Sequence, residues 1–291
     1  MRITRFTHAE DGHAIPRIGL RLGSGSFVDA SSLTPPSSAH ECYDVDGSFL
    51  LELKAESERL DQGRGTLPTL DPGEVRLLSP LERPGKVICI GLNYRDHALE
   101  SEMELPEEPL VFSKFSTSIT DPGARIRLPD GSREVDYEAE LGVVIGRRTF
   151  QCAPEDALDS VLGYTCVNDV SARDFQFADG QWQRGKSCDG FCPVGPEIVT
   201  TDEIPDPQGL TMSLLLNDEV MQETRTDGMI FDVRTIIAYI SRFATLEPGD
   251  LIATGTPPGC GFAMDPPVYL AAGDRMSVRI SDIGTLDNTI A

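Results

Sequence analysis

Residues Val135 to Gly146 read VDYEAELGVVIG. The second half, LGVVIG, is small, β-branched and apolar, as a buried strand requires. The first half places Glu138 and Glu140 two positions apart and runs them directly into that apolar segment. In a strand, residues two apart point to the same face. Both carboxylates would then project together, while Tyr137, Ala139 and Leu141 face the other way. On a helix the same spacing would splay them about 200° apart. Two like charges on one face repel, and burying them unpaired costs several kcal/mol each. Either this face meets water or something positive lies against it.

The next apolar strand, VLGYTCVND, ends in a third carboxylate, Asp169. Three carboxylates form an all-oxygen donor set of the kind that suits Mg²⁺ or Mn²⁺ and leaves positions for waters and a chelating substrate. Spacing along the chain does not by itself bring Asp169 to the glutamates. From these residues alone, a solvated strand face and a metal-bearing face both stay open.

A second group lies upstream in ICIGLNYRDHALESE. His97 follows a strand and a Gly-Asn turn, and Glu100 comes three residues later, one helical turn away on the same face. A carboxylate beside an imidazole fixes its tautomer and raises its basicity, which makes a general base near neutral pH. The bland alternative is a surface His–Glu pair. The acidic, proline-limited segment after it, SEMELPEEP, has the character of a loop over this turn.

Composition narrows the function classes. The 291 residues carry 47 acidic and 25 basic side chains, for a net charge of −22. That excess disfavours nucleic acid and anionic membrane surfaces as partners, since both need a basic face. An anionic substrate would need positive potential supplied locally. The four lysines are Lys54, Lys86, Lys114 and Lys186, so a lysine inside a motif stands out. No apolar run reaches roughly 18 residues, as a membrane span would require. The opening MRITRFTHAEDGHAIPRIGL has no hydrophobic core of a secretory signal. The expectation is a soluble, cytoplasmic protein. The seven scattered cysteines read as reduced thiols rather than a disulfide framework, and CDGFC lacks the spacing and partners of a zinc motif.

Two units are expected, 1–75 and 76–291. The first reads as a small α+β domain, with alternating segments, a Ser/Pro-rich loop (SSLTPPSSAHE) and a helix near FLLELKAESERL. DPGEVRLLSPLERPGK reads as the connection between the units. The second is a succession of short strands: KVICIG, ELGVVIG, VLGYTCVND, TMSLLLN, DLIATGT and RMSVRI. Its clearest helix is DVRTIIAYISRFATL, capped by Asp232, with Ile236, Ile237, Ile240 and Phe243 on one stripe and a stop at Pro248-Gly249. The fold class is mainly β with α+β elements.

Taken in order, GLNYRDHALE, VDYEAELGVVIG, VNDVSARDFQ, KSCDGFCPVGP and PGDLIATGTPPGCG resemble the motifs of the fumarylacetoacetate hydrolase family. The resemblance runs from about Lys86 to the C-terminus. It implies a mixed β-sandwich roll behind a small N-terminal domain, and a homodimer. It implies that Glu138, Glu140 and Asp169 hold Mg²⁺ or Mn²⁺, that His97 and Glu100 activate water, and that Lys186 neutralises developing charge. Arg173, Gln176 and Thr256 fall where family members contact substrate oxygens. Two positions depart from the pattern: Phe115 follows Lys114 where the family usually has proline, and Arg279 stands where an acidic residue is common.

The implied chemistry is metal-dependent hydrolysis of a C–C bond in an acylpyruvate- or fumarylacetoacetate-like 1,3-diketo acid. Isomerisation or decarboxylation of a 2-hydroxyhepta-2,4-diene-1,7-dioate, and decarboxylation of oxaloacetate, are the alternatives within the family. A non-catalytic, metal-dependent binding protein is an alternative of a different class. The partner expected in every catalytic case is a small anionic 2-oxo acid.

Overall fold

In the computed structural model, which describes residues 1–10, 15–33, 40–100 and 103–291, the Ala139–Ile145 strand lies in the interior of a 12-stranded sheet. All seven of its residues are buried. The period of two is visible in the packing. Ala139, Leu141, Val143 and Ile145 enter the larger core cluster, whereas Val144 enters the smaller one on the opposite face. Gly142 is required between neighbours: a Cβ there would come within 2.8 Å of the Thr165 and Val167 side chains.

Val161–Asn168 pairs antiparallel along the whole Ala139–Ile145 strand, from Ala139 opposite Asn168 to Ile145 opposite Val161. Leu251–Ala253 pairs antiparallel on the other side. That short strand is in turn parallel to Val87–Gly91, with Leu251 opposite Val87 and Ala253 opposite Cys89. Leu110–Lys114 closes this edge of the sheet. A five-stranded sheet, ordered Glu219–Arg225, Thr211–Leu216, Arg275–Ile280, Gly284–Ile290 and Arg125–Ile126, covers one face. Leu214, Met276, Val278 and Leu286 from it join Leu141, Val143, Tyr164 and Cys166 in the larger core. Few short helices accompany these strands. The mainly β expectation holds.

Several local readings need correction. The stretch read as a connector contains a strand, Val75–Leu78, which pairs antiparallel with Arg2–His8. Arg2–His8 itself pairs with Cys192–Thr200, so the N-terminal strands extend the same large sheet. Cys192–Thr200 was hidden by Pro193 and Pro196, residues that cannot donate to a ladder. The isoleucine helix spans Val233–Ser241, and Asp232 caps it by accepting from the Thr235 amide at 2.8 Å. It stops before Phe243, which is 61% exposed and off the buried stripe formed by Ile236, Ile237 and Ile240. All seven cysteines are free thiols. Residues 34–39 of the Ser/Pro loop, and 101–102 of the segment after Glu100, lie outside the described residues.

Candidate active site

Sheet direction gathers the motifs at one end. Val87–Gly91 and Leu251–Ala253 are parallel, so the loops leaving them emerge on the same side. The first loop leads to Asn93 and the helix Arg95–Glu100, and the second to Thr254, Gly255 and Thr256. Ala139–Ile145 runs the opposite way, which puts its start at that same end. Val161–Asn168 runs opposite again, so Asp169, the residue after it, arrives there too. Asn93 ties the loops together by donating from Nδ2 to the carbonyls of Thr254 (2.7 Å) and Phe231 (3.0 Å).

Glu138, Glu140 and Asp169 are all buried, and each offers a carboxylate oxygen within 4.8 Å of the others. Their surroundings differ. Glu138 binds Lys186 Nζ at 2.8 Å and Arg173 Nη1 at 2.7 Å. Burial pushes its carboxyl up, but those two cations outweigh burial and hold it down at about 2. Asp169 binds Lys186 Nζ at 2.9 Å through Oδ2 and Lys114 Nζ through Oδ1. Glu140 has no ion pair among the described residues; it accepts from the Gly255 amide at 2.8 Å. Burial first, then the facing carboxylates of Asp169 and Glu138, push its carboxyl well above the usual range. A third oxygen donor, crowded by two like charges and lacking a cation, is what a hard divalent ion would satisfy. The residues fit such an ion.

Burial opposes the charge on Lys186, yet Asp169 and Glu138 overcome it and raise its pKa, so it is a fixed cation and not a base. Arg173 is likewise held charged, against burial, by Glu138 and Asp136. Its Nε and Nη2 donate to Asp136 Oδ2 at 2.9 and 2.8 Å, and its guanidinium stacks 4.3 Å from the centre of the Phe262 ring. Its Nη1 also donates to Gln176 Oε1 at 3.0 Å.

His97 and Glu100 do share one helix face: Nδ1 lies 2.8 Å from Glu100 Oε1. The Gly259 amide donates to both oxygens of Glu100, at 3.1 and 2.9 Å. With Nδ1 engaged by the carboxylate, Nε2 is the nitrogen left for chemistry. His97, Glu138, Arg173, Gln176, Lys186 and Thr256 all line one cavity of about 100 Å³, together with Met103, Phe112, Phe177, Trp182 and Phe262. A larger cavity of about 960 Å³ adjoins it, sharing Met103, Phe112 and Trp182, but is lined mostly by apolar side chains.

The structure thus brings together every residue given a site role from sequence, whereas Arg279 lines a separate cavity with Arg2 and Arg21. It adds others. Lys114 is buried against Asp169 and donates to the Val170 carbonyl at 3.1 Å; the scarcity of lysine is the signal that marks it in the sequence. Gln222, on the second sheet, donates to Thr256 Oγ1 and the Pro257 carbonyl, both at 2.9 Å, and accepts from the Ala139 amide at 2.9 Å. Nothing in MQET signals that role. Asp136 accepts from the amides of Tyr137, Gly261 and Phe262 as well as from Arg173. Cys260 lies beside His97.

A carboxylate triad on a β-rich scaffold, flanked by fixed cations and a His–Glu pair, has the composition of an enzyme site. The fumarylacetoacetate hydrolase C-terminal family model matches residues 86–291. The chain is 41% identical over 295 residues to an oxaloacetate tautomerase of Xenopus laevis described as mitochondrial, covering 100% of this chain and 90% of that protein. Among solved structures, it resembles a fumarylacetoacetate hydrolase from the psychrophile Exiguobacterium antarcticum (TM-score 0.83, 40% identity, 100% and 99% of the two chains covered). It also resembles a maleylpyruvate hydrolase from Sphingobium (TM-score 0.79, 30% identity, 100% and 99% covered). The chain belongs to the fumarylacetoacetate hydrolase family, an enzyme family acting on small molecules. Among the described residues no helix is long and apolar enough to cross a membrane.

Proposed function

We propose that this protein is a Mg²⁺- or Mn²⁺-dependent enzyme that interconverts the keto and enol forms of a small 2-oxo diacid of the oxaloacetate type. The observation that carries this reading is the cavity itself: about 100 Å³, with the buried cations Arg173 and Lys186 on its wall. That volume is far below the roughly 300–1,000 Å³ of ordinary ligand pockets and suits a short dianion, since a longer acyl arm would have to pass Met103, Phe112 and Trp182 into the adjoining cavity. The resemblance to the Xenopus laevis tautomerase over the whole chain supports it.

Glu138, Glu140 and Asp169 would hold the cation. When bound, it would supply Lewis-acid polarisation to the 2-oxo acid. The chain's own residues do the rest. Arg173 and Gln176, with Thr256 held by Gln222, orient carboxylate and carbonyl oxygens. Lys186 keeps positive charge beside the oxygen on which negative charge grows. His97, oriented by Glu100, takes a proton from the carbon next to the keto group and delivers it to the enolate oxygen to give the enol, and the reverse transfers restore the keto form. The aromatic wall of Phe112, Trp182 and Phe262 limits water.

Hydrolysis of the C–C bond of an acylpyruvate is the second reading, favoured by the His97–Glu100 geometry, which serves to deprotonate water equally well. The two separate by products. Oxaloacetate in D₂O, followed by NMR, should exchange its methylene hydrogens faster than buffer allows, with the carbon skeleton intact. If exchange stays at the buffer rate while acylpyruvates take solvent ¹⁸O into a carboxylate product, the first reading fails and the second stands.

The homodimer belongs to the proposal as well. Its support is the apolar groove beside the edge strand Leu110–Lys114, with exposed Leu110, Phe115 and Phe243. So do the division at residue 75 and a cytoplasmic location; the mitochondrial description of the Xenopus laevis relative makes the organelle the alternative, which fractionation decides.

A further inference from the structure

We propose that His97, Glu100 and Cys260 form a second cation site, selective for a thiophilic divalent ion such as Zn²⁺ and distinct from the carboxylate triad. The three offer ligand atoms that all lie within 4.8 Å of one another. His97 Nδ1 is 2.8 Å from Glu100 Oε1 and 3.9 Å from Cys260 Sγ. Zinc binds sulfur at about 2.3 Å and nitrogen or oxygen at about 2.0–2.1 Å. Tetrahedral bonds of those lengths set sulfur and nitrogen about 3.5 Å apart, and nitrogen and oxygen about 3.3 Å apart. Each observed spacing is within about half an ångström of its target.

The donors differ in kind from those of the triad. One thiol, one imidazole and one carboxylate favour zinc, whereas three carboxylates favour hard ions. Sequence distance concealed the group: Cys260 is 163 residues from His97 and arrives on the loop whose Gly259 amide already binds Glu100. Cys260 is fully buried, while the Glu100 side chain is 23% exposed, so the cluster meets solvent on the Glu100 side. On uptake the thiol loses its proton to solvent as the sulfur–metal bond forms, with no change of oxidation state. Zinc there takes both members of the pair that the proposed function uses as its base. That consequence rests on the proposed function; the site does not.

The test uses full-length protein saturated with Mg²⁺ and titrated with CoCl₂. Cobalt bound to a thiolate gives an intense near-ultraviolet charge-transfer band that oxygen ligands do not give. We expect the band to saturate at one cobalt per chain, to survive in Glu140→Ala, Cys152→Ser and Cys188→Ser, and to vanish in Cys260→Ser. No band in the wild-type protein, or one undiminished in Cys260→Ser, overturns the proposal; the wild-type result decides even if the variant fails to fold. ZnCl₂ should slow turnover in a way that added Mg²⁺ does not relieve, and Cys260→Ser should raise the zinc needed for half-inhibition at least about tenfold. A cobalt band without oxaloacetate or acylpyruvate turnover keeps the site and sinks the catalytic reading. Turnover without the band does the reverse.

Discussion

Replacing Asp136 by asparagine tests how the active-site loop and Arg173 are held. Asp136 is fully buried and spends both oxygens on donors. Oδ1 accepts from the Tyr137 and Gly261 amides, each at 2.8 Å. Oδ2 accepts from Arg173 Nε and Nη2 at 2.9 and 2.8 Å, and from the Phe262 amide at 3.2 Å. Asparagine keeps the size but has one acceptor oxygen. If that oxygen serves Tyr137 and Gly261, its NH₂ confronts Arg173 and Phe262; flipped, it confronts the other two amides. Breaking a buried ion pair from one side costs about 3–5 kcal/mol. Arg173 retains Glu138 at 2.7 Å and is not orphaned, which sets the expectation near the lower end, about 3 kcal/mol. Trp182, the single tryptophan, lines the site cavity and reports urea unfolding there by fluorescence. The midpoint should fall with an unchanged slope. KM should rise more than kcat falls if, as proposed above, Arg173 orients substrate without exchanging a proton. A loss below about 1 kcal/mol, the scale of one ordinary neutral hydrogen bond, would refute this account of the strut.

Glu140→Ala should abolish Mg²⁺ binding by calorimetry together with turnover, while in the metal-free protein relief of the crowding against Asp169 and Glu138 offsets part of the cost of orphaning the Gly255 amide; retained metal affinity would remove Glu140 from the site. His97→Ala should leave Mg²⁺ affinity intact and slow turnover about 10²–10⁴-fold, the range for a lost general base; a matching collapse of metal affinity would reassign the residue. Glu56→Gln concerns the N-terminal helix. Burial raises the Glu56 carboxyl, but the Thr66 and Leu67 amides and Arg59 outweigh it and hold it below the usual range. Its contribution is therefore present above the unfolded value of about 4.3 and lost as pH falls through the lower folded value. Urea midpoints measured down the acid limb should converge for variant and wild type; parallel curves would contradict the assignment.

The glutamate pair was legible because two charges broke an apolar run at strand spacing, a conflict that burial alone cannot resolve. The His97–Glu100 pair was legible for the complementary reason: three residues make one turn of helix, and both ends of the interaction lie on it. What the sequence withheld is whatever depends on strand order. Asp169 reaches the glutamates because Val161–Asn168 is antiparallel to Ala139–Ile145, and no spacing encodes which strands become neighbours. Gln222 and Cys260 reach the site from remote segments for the same reason. Phe243 was misplaced because helical periodicity continues in the letters after Ser241, whereas the backbone has already left the helix. Lys114 stands out by the scarcity of lysine, but its approach to Asp169 again depends on strand order.

The shared direction of Val87–Gly91 and Leu251–Ala253 also grades the tolerance of single strands to mutation. Along Ala139–Ile145, the start is constrained by charge, since Glu140 must meet two other carboxylates. A few residues on, the Val143 and Ile145 side chains are constrained by volume, because they are fully buried in the larger core cluster. Exchanging one aliphatic residue for another should be nearly neutral at Ile145, while the smallest change of functional group at Glu140 should not be. One seven-residue strand therefore holds two regimes of selection. The molecule can drift at one end of its sheet while its chemistry stays fixed at the other.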